Sequence, residues 1–190
     1  MSVSRRVVID VGHTESEPGA VSPFPPNLSE WEYNSRIAAL AHNLIYTADV
    51  TVLSRDRGTN GYRDLPGKIN AFSPQLILSL HCNAATPTAF GTEMIYHPGS
   101  IAGARFATIL QNEVSSAMGW LESDTGYRGI KSPIGGRGAT LLQQTCAPCV
   151  IAEPFFLTNE ADCRKGIEHM NDLAEAYARA VNGFFECSNF

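Results

Sequence analysis

Charged residues are scarce in this chain of 190 residues, where they make up 17%, against about 25% in an average globular protein. Hydrophobic residues make up 44%, so the composition differs from that of a disordered chain, which combines low hydrophobicity with high charge. Lysine and arginine number 14 against 19 acidic residues, which gives a net charge of −5. Because binding to DNA or RNA needs clustered cations, we expect no nucleic-acid partner.

Long apolar runs and a cysteine framework are also missing. No stretch approaches the roughly 18 apolar residues that cross a bilayer, so we expect no membrane insertion. The first apolar run, Val7 to Ile9, ends at Asp10 and is too short for the core of a signal peptide, which needs about 7–15 residues. The 5 cysteines are odd in number and sparse, which favours a reducing compartment. We therefore expect synthesis in the cytoplasm without a signal peptide.

Strand-like and helix-like segments alternate along the chain, without an internal repeat or a linker. This alternation predicts one α/β domain over residues 1–190, with a largely parallel central sheet covered by helices. Proline-rich residues 14–27 and glycine-rich residues 119–138 are predicted as loops. The predicted strands are 6–10, 49–54, 75–80, 91–96, 139–143 and 149–153, and the predicted helices are 29–46, 61–72, 102–118 and 161–185.

Polar side chains follow three of the predicted strands. His13, His81 and Glu153 come after apolar runs, and ligands of open α/β sheets bind outside the carboxyl ends of the strands. Two imidazoles and a carboxylate suit a zinc ion with an open position for water, and a further carboxylate can act as general base. The candidates lie far apart in the sequence, so spacing alone leaves a metal site as one interpretation among others.

Glu30 and Glu32 are both candidates at the start of the first helix. The segment Ser29 to Glu32 fits a capping box, in which the hydroxyl and the glutamate satisfy each other's backbone N–H groups. This assigns a structural role to Glu32 and leaves Glu30 available to the site.

Seven short segments match one family pattern, in the right order and over nearly the whole chain. They are Val8–His13, Glu17–Ala20, Glu30–Asn34, Ser79–Ala84, Gly91–Tyr96, Gly126–Lys131 and Pro148–Asn159. Together they resemble the zinc-dependent N-acetylmuramoyl-L-alanine amidases of the Amidase_3 type. Two departures are Thr14, where the family usually has glycine, and Pro154, which follows Glu153. These departures put into question the conformation of the loop beside the metal and of the backbone near Glu153.

The resemblance implies a mixed, mostly parallel six-stranded sheet flanked by helices. It implies Zn²⁺ as the cofactor and peptidoglycan as the substrate, cleaved between N-acetylmuramic acid and L-alanine by zinc-activated water. His13, Glu30 and His81 carry over as the zinc ligands and Glu153 as the catalytic carboxylate. Asn83 and Arg128 are expected to bind substrate, by their position in the motifs.

The resemblance also suggests a biological setting. A bare catalytic domain is typical of a phage or prophage endolysin, which a holin or a secretion system releases to the cell wall in the periplasm. A secreted effector and a host remodelling enzyme are the alternatives. We expect a monomer. Residues 119–138 show no helix that could plug the cleft, so we expect constitutive activity.

Other functions stay open at this point. A cysteine hydrolase using Cys82 or Cys149 would resist chelators, and a wall-binding module would release no new amines. A zinc hydrolase of another amide bond is the nearest enzymatic alternative. The C-x-x-C segment from Cys146 to Cys149 is interpreted as local packing or an incidental disulfide rather than a redox motif. Glu93 is expected to make a cross-strand polar contact, with a reserve ligand as the alternative.

Overall fold

A computed structural model of the chain describes residues 4–58, 60–136 and 138–187. Within these residues the strands are β1 (Arg6–Val11), β2 (Asp49–Ser54), β3 (Leu76–Leu80), β4 (Thr92–Tyr96), β5 (Tyr127–Lys131) and β6 (Cys149–Glu153). The helices are α1 (Glu30–Leu44), α2 (Gly61–Asn70), α3 (Ile101–Ala117), α4 (Ala139–Gln144), α5 (Glu160–Glu168) and α6 (Met170–Glu186). None of these helices is both long enough and apolar enough to span a bilayer.

The six strands form one mixed sheet in the order β2-β1-β3-β6-β4-β5. Strands β2, β1, β3 and β6 are parallel. Strand β4 is antiparallel to β6, and β5 is parallel to β4. The carboxyl ends of β1, β3 and β6 therefore meet the amino ends of β4 and β5 at one edge. The predicted fold, a mixed and mostly parallel six-stranded sheet flanked by helices, is confirmed.

Helices cover both faces of the sheet, and strand alternation divides the core accordingly. The larger face, which includes Val7 and Ile9, packs against α1, α3 and α6. The smaller face, which includes Val8 and Ile151, packs against α2 and α4. Because both faces are covered, the inner strands are apolar almost throughout, as is typical of parallel strands. Polar residues within these strands are therefore exceptional, and two of them, Glu93 and Glu153, belong to the candidate site.

Three sequence predictions on secondary structure were wrong. Residues 119–138, predicted as loop, contain β5, an edge strand whose short length and central Gly129 conceal the strand pattern. Residues 139–143, predicted as strand, form α4, because an apolar run this short shows no period and helix formers dominate it. The single helix predicted over 161–185 is two helices, because the backbone at His169 leaves the helical region (φ −98°, ψ 20°).

Candidate active site

One row of side chains crosses the sheet at the edge where these strand ends meet. The N–H of His81 donates to the carbonyl of Ala152 at 3.0 Å, which continues the β3–β6 ladder one residue beyond β3. Glu153 then pairs with Glu93 across the antiparallel β6–β4 ladder. Side chains directly opposite in a sheet share a face, so His81, Glu153 and Glu93 stand side by side. They lie on the face that α2 and α4 cover.

His13, Glu30 and His81 converge at one end of this row. Their ligand atoms all lie within 4.8 Å of one another. One carboxylate oxygen of Glu30 lies 2.8 Å from Nδ1 of His81, and the other lies 3.2 Å from Nε2 of His13. His13 follows β1, Glu30 begins α1 and His81 follows β3. Because these segments are far apart in the sequence, only the folded chain brings them together.

Glu30 reaches the site because it lies on the buried face of α1. It is 1% exposed and shares that face with Tyr33 and Ile37, at the i+3 and i+7 spacing of one helix side. The hydroxyl of Ser29 accepts from the N–H of Glu32 at 3.2 Å, as the capping box predicts. The carboxylate of Glu32 pairs with Arg36 on the outer face. The structure thus separates the two glutamates, but it shows only half of the predicted capping box, because the described contact of the Glu32 carboxylate is with Arg36 and not with the N–H of Ser29.

The proline-rich loop holds Glu30 from the other side. The N–H of Ala20 donates to the Glu30 carboxylate at 3.2 Å, and the N–H of Glu30 donates to the carbonyl of Ala20 at 2.8 Å. Thr14 closes the start of this loop, since its hydroxyl accepts from the N–H of Glu17 at 3.0 Å. His13 has the left-handed φ of 73°. The left-handed conformation thus lies at His13, and Thr14 is not among the described residues with a positive φ. Threonine is therefore accommodated at position 14, where the family usually has glycine.

Two glycines leave room for the imidazoles. A Cβ on Gly12 would lie 2.6 Å from Cε1 of His81 and 2.7 Å from the carbonyl oxygen of Leu80. A Cβ on Gly19 would lie 2.6 Å from a carboxylate oxygen of Glu30 and 2.7 Å from Cδ2 of His13. Contacts this short cannot form, so both positions require glycine for the cluster to assemble.

Electrostatics favour a charged Glu30. Burial alone would raise the pKa of its carboxyl, but the close contacts with His13 and His81 outweigh burial and hold the pKa well below its usual range. Burial lowers the pKa of His81, while the hydrogen bond to Glu30 and the charge of Glu153 raise it, with a net increase. The cluster therefore offers one carboxylate and two imidazoles, a nitrogen and oxygen donor set that suits Zn²⁺. The residues present fit the metal that the family pattern implies.

Glu153 ends β6 in the middle of the row, buried between His81 and Glu93. The backbone beyond it is fixed, because the hydroxyl of Thr92 donates to the carbonyl of Pro154 at 2.7 Å. The carboxylate of Asp162 accepts from the N–H of Phe156 at 2.8 Å. Pro154, which has no N–H of its own, is thus held through its carbonyl oxygen.

Glu93 lies at the other end of the row, and both predicted substrate-binding residues contact it. It accepts from Nδ2 of Asn83 at 2.9 Å and from Nε of Arg128 at 2.6 Å, and it also pairs with Lys131. Burial would raise the pKa of the Glu93 carboxyl, but Lys131 and Arg128 together lower it. The expected cross-strand polar contact of Glu93 is thus present. Substrate binding by Asn83 and Arg128 stays a prediction.

A β-bulge aims Arg128 at Glu93. Thr92 pairs with Tyr127, but the next residue, Glu93, pairs with Gly129. Arg128 is the extra residue, and bulges of this kind re-aim side chains near active sites. Gly129 has a φ of 75°, which glycine adopts without strain. The sequence gives no sign of the bulge beyond that glycine.

A cavity of about 230 Å³ opens beside the row, between the sheet and helices α2 and α4. Its walls include Leu65 and Ile151, and its polar members include Asp10 and Arg55. Asp10 is buried, and one of its carboxylate oxygens accepts from the hydroxyl of Ser79 at 2.7 Å. The other oxygen has no hydrogen-bond partner among the described residues. Sequence reasoning missed Asp10, although a charged residue in a buried strand is itself a signal.

The cysteines are poorly placed for nucleophilic chemistry. Cys82 is fully buried in the larger core, as predicted, and burial raises the pKa of its thiol well above the usual value. Cys149 is also buried, and burial raises the pKa of its thiol. Because the thiolate is the reactive form, this geometry disfavours a cysteine hydrolase. Cys146, the other cysteine of the C-x-x-C segment, is exposed, and both are free thiols in the described chain.

Comparison with known proteins places the chain in a family. The family model of the N-acetylmuramoyl-L-alanine amidases (Amidase_3) matches residues 7–183. The curated protein YqiI of Bacillus subtilis (strain 168) is 24% identical in an alignment 198 residues long, gaps included. The alignment covers 96% of this chain and 85% of YqiI.

Solved structures share the fold. An N-acetylmuramoyl-L-alanine amidase from Clostridium difficile 630 superposes with a TM-score of 0.81 at 23% identity, over 98% of this chain and 99% of that chain. The catalytic domain of the CD27L endolysin, which targets the same species, gives a TM-score of 0.76 at 18% identity, over 94% and 97%. The match of the family model to residues 7–183 shows that the chain belongs to the N-acetylmuramoyl-L-alanine amidase family.

Proposed function

We propose that the protein is a peptidoglycan hydrolase that cleaves the amide between N-acetylmuramic acid and L-alanine, with zinc held by His13, Glu30 and His81. The observation that carries this proposal is the convergence of those three side chains within 4.8 Å beside Glu153, in a chain of this family. Zinc bound there supplies a Lewis acid for the amide carbonyl and lowers the pKa of its bound water toward about 7.

Glu153 is the group that moves the proton. It stands one strand from His81, on the same face of the sheet, where its carboxylate would act as general base toward a water beside the cluster. The carboxylate takes a proton from that water and delivers it to the leaving nitrogen of L-alanine. General acid–base catalysis of this kind contributes about 10²–10⁴-fold to the rate. Asp162 and Thr92 fix the backbone beyond Glu153, which keeps the carboxylate in place.

Product identification tests the proposal. Purified peptidoglycan is digested with the protein, and the products are analysed by mass spectrometry and by labelling of new amino groups. We expect intact stem peptides with a free amine on L-alanine, together with glycan strands that carry no peptide. Cleavage at another peptide bond would instead support a zinc hydrolase of different specificity. Binding to walls without release of amines would support a non-catalytic wall-binding protein.

Inhibitors separate the metal and the cysteine chemistries. We expect a chelator to abolish activity and added Zn²⁺ to restore it, because the site depends on the ion. We expect iodoacetamide to leave activity within about twofold, because buried thiols with raised pKa values react slowly. Activity that resists the chelator and is lost on alkylation would identify a cysteine hydrolase using Cys82 or Cys149.

We propose as a setting that the protein acts as a phage or prophage endolysin, released to the wall by a holin or a secretion system. This setting rests on the sequence interpretation and not on the geometry of the site. It is tested by producing the protein in a bacterial host with and without a holin. Lysis only with the holin supports an endolysin, whereas lysis without it contradicts that setting.

A further inference from the structure

We propose that Arg128 and Lys131 bind a carboxylate of the stem peptide, and that Glu93 positions them for it. This carboxylate belongs to the residue that follows L-alanine, a glutamate whose α-carboxyl group is either free or converted to a carboxamide. The inference rests on the proposed function and adds to it a preference for the free acid. Lys131 and Glu93 then take part in specificity, alongside Arg128.

The charge of the cluster favours an anionic ligand. Arg128 and Lys131 contact the same carboxylate oxygen of Glu93, so two cations share one anion. The side chains of Arg128 and Lys131 are 34% and 41% exposed, whereas the side chain of Glu93 is 10% exposed. The carboxylate is therefore buried beneath two cations that face solvent. These three side chains together carry a charge of +1, whereas the whole chain carries −5.

Among the contacts that the structure describes, both cations retain donors for a ligand. Arg128 uses Nε on Glu93 and lies over the ring of Phe156, 5.0 Å from its centroid. This arrangement fixes the plane of the guanidinium, whose two terminal nitrogens suit a carboxylate. Lys131 contributes an ammonium with three donors, of which the described contact to Glu93 uses one. Asn83 holds the other oxygen of Glu93 at 2.9 Å, so the anchor itself is fixed.

Distances along the row match the substrate. Neighbouring strands lie about 4.8 Å apart, so the Glu93 anchor is about one strand spacing from Glu153, and the cations lie just beyond it. Two residues of extended peptide span at most about 7 Å. We place the scissile amide of the substrate between His81 and Glu153, with the peptide running toward β5. The α-carboxyl group of the residue after L-alanine then lies beside Arg128 and Lys131.

The alternative is that Glu93, Arg128 and Lys131 form an ion-pair cluster that only stabilises the sheet. The rates on substrates with and without the carboxylate distinguish this structural role from carboxylate binding. The substrates are two preparations of one peptidoglycan, with the second stem residue either a free acid or a carboxamide. For the unmodified protein we expect kcat/KM to be about tenfold higher on the free acid, a factor typical of one charge-assisted contact. We expect this ratio to fall toward one in Lys131→Met and Arg128→Met, and Lys131→Arg to restore most of it.

Matched variants complete the experiment. Arg179→Met removes a half-exposed arginine of α6 that pairs with Glu113 of α3 and Glu175 of α6, and we expect it to keep the full tenfold ratio of kcat/KM. Glu93→Gln should lower the ratio, because both cations lose their anchor. Equal rates of the unmodified protein on both preparations, with L-alanine released from each, would overturn this inference alone. A ratio unchanged in both Lys131→Met and Arg128→Met would also overturn it. Cleavage of neither preparation would overturn the proposed function as well.

Discussion

Two buried glutamates at the same edge of the sheet have similar surroundings and different chemistry. Glu30 is 1% exposed and Glu93 is 7% exposed, and each carboxylate is held between two basic side chains. The partners of Glu30 are imidazoles, which can exchange a proton for a metal ion. The partners of Glu93 are an arginine and a lysine, which offer hydrogen-bond donors but no lone pair for a metal ion. The partners, and not the burial of the carboxylate, therefore distinguish the proposed metal site from the charge anchor.

The two glutamates are also delivered by different local structures. Glu30 opens a helix and is held by a loop that folds back over it, so its cluster draws on three separate segments of chain. Glu93 lies within a strand, and its cations come from the neighbouring strand through a bulge. Changes at the Glu30 end should therefore affect the metal, while changes at the Glu93 end should affect charge and specificity.

The largest effect is expected at Glu30. Glu30→Gln keeps the shape but removes the charge that both imidazoles face, so we expect zinc to be lost from the purified protein and activity to fall below detection. Zinc is measured by elemental analysis, and folding by circular dichroism. A variant that still binds one zinc per chain with unchanged affinity would show that Glu30 is not a ligand.

Glu153→Gln should separate metal binding from catalysis. Because Glu153 stands beside the cluster and moves a proton in the proposed mechanism, we expect a loss of about 10²–10⁴-fold in kcat with zinc content unchanged. His81→Ala, in the same row, should lose zinc as well as activity. Equal zinc loss in both variants would make Glu153 part of the metal site instead.

Most of the fold could be predicted from the sequence, because the inner strands are apolar runs that end at turn residues. β2 and β6 have the predicted bounds, 49–54 and 149–153. β5 escaped prediction because its five residues lack an apolar run, alternate in exposure and have Gly129 at their centre. Leu141 and Leu142, both buried, were interpreted as a strand because six residues are too few to reveal a helical period.

The candidate site could be predicted in part. His13 and His81 follow strands and Glu153 ends one, positions that sequence patterns can recognise. The Glu93 anchor could not be derived, because it depends on β4 running antiparallel to β6 and on a bulge in β5. Neither the direction of a strand nor a bulge is encoded in hydrophobic alternation. The Asp10–Ser79 contact likewise depends on the β1–β3 register.

Gly12→Ala tests whether space is as important as charge at the Glu30 end. The added Cβ would lie 2.6 Å from the His81 ring and 2.7 Å from a backbone carbonyl, so the ring must move. We expect zinc affinity to fall by about 10–100-fold, the range seen when the support of a ligand is disturbed. Competition with a chromogenic chelator measures the affinity.

Gly183→Ala is the matched control for that substitution. It lies inside α6, where an added Cβ meets no described atom within 4 Å. We expect unchanged zinc affinity and a gain of up to about 1 kcal/mol in the free energy of unfolding, from helix propensity. If zinc affinity is the same in Gly12→Ala and Gly183→Ala, the steric argument at Gly12 is wrong.

The smallest effect is expected in the stability contributed by Glu93. Its cations lower the pKa of the carboxyl below 4.5, its ordinary value, so the ionised form stabilises the folded state above that pH. This stabilisation is lost as the pH falls through the lowered, folded-state pKa. Because Arg128 and Lys131 are partly exposed, screening limits it to about 1 kcal/mol. We therefore expect Glu93→Gln to be less stable than the unmodified protein by about that amount at pH 7, with the two converging below pH 4.5. Urea unfolding across this range measures the difference, and a gap that is the same at pH 3 and pH 7 would show that Glu93 contributes through packing rather than charge.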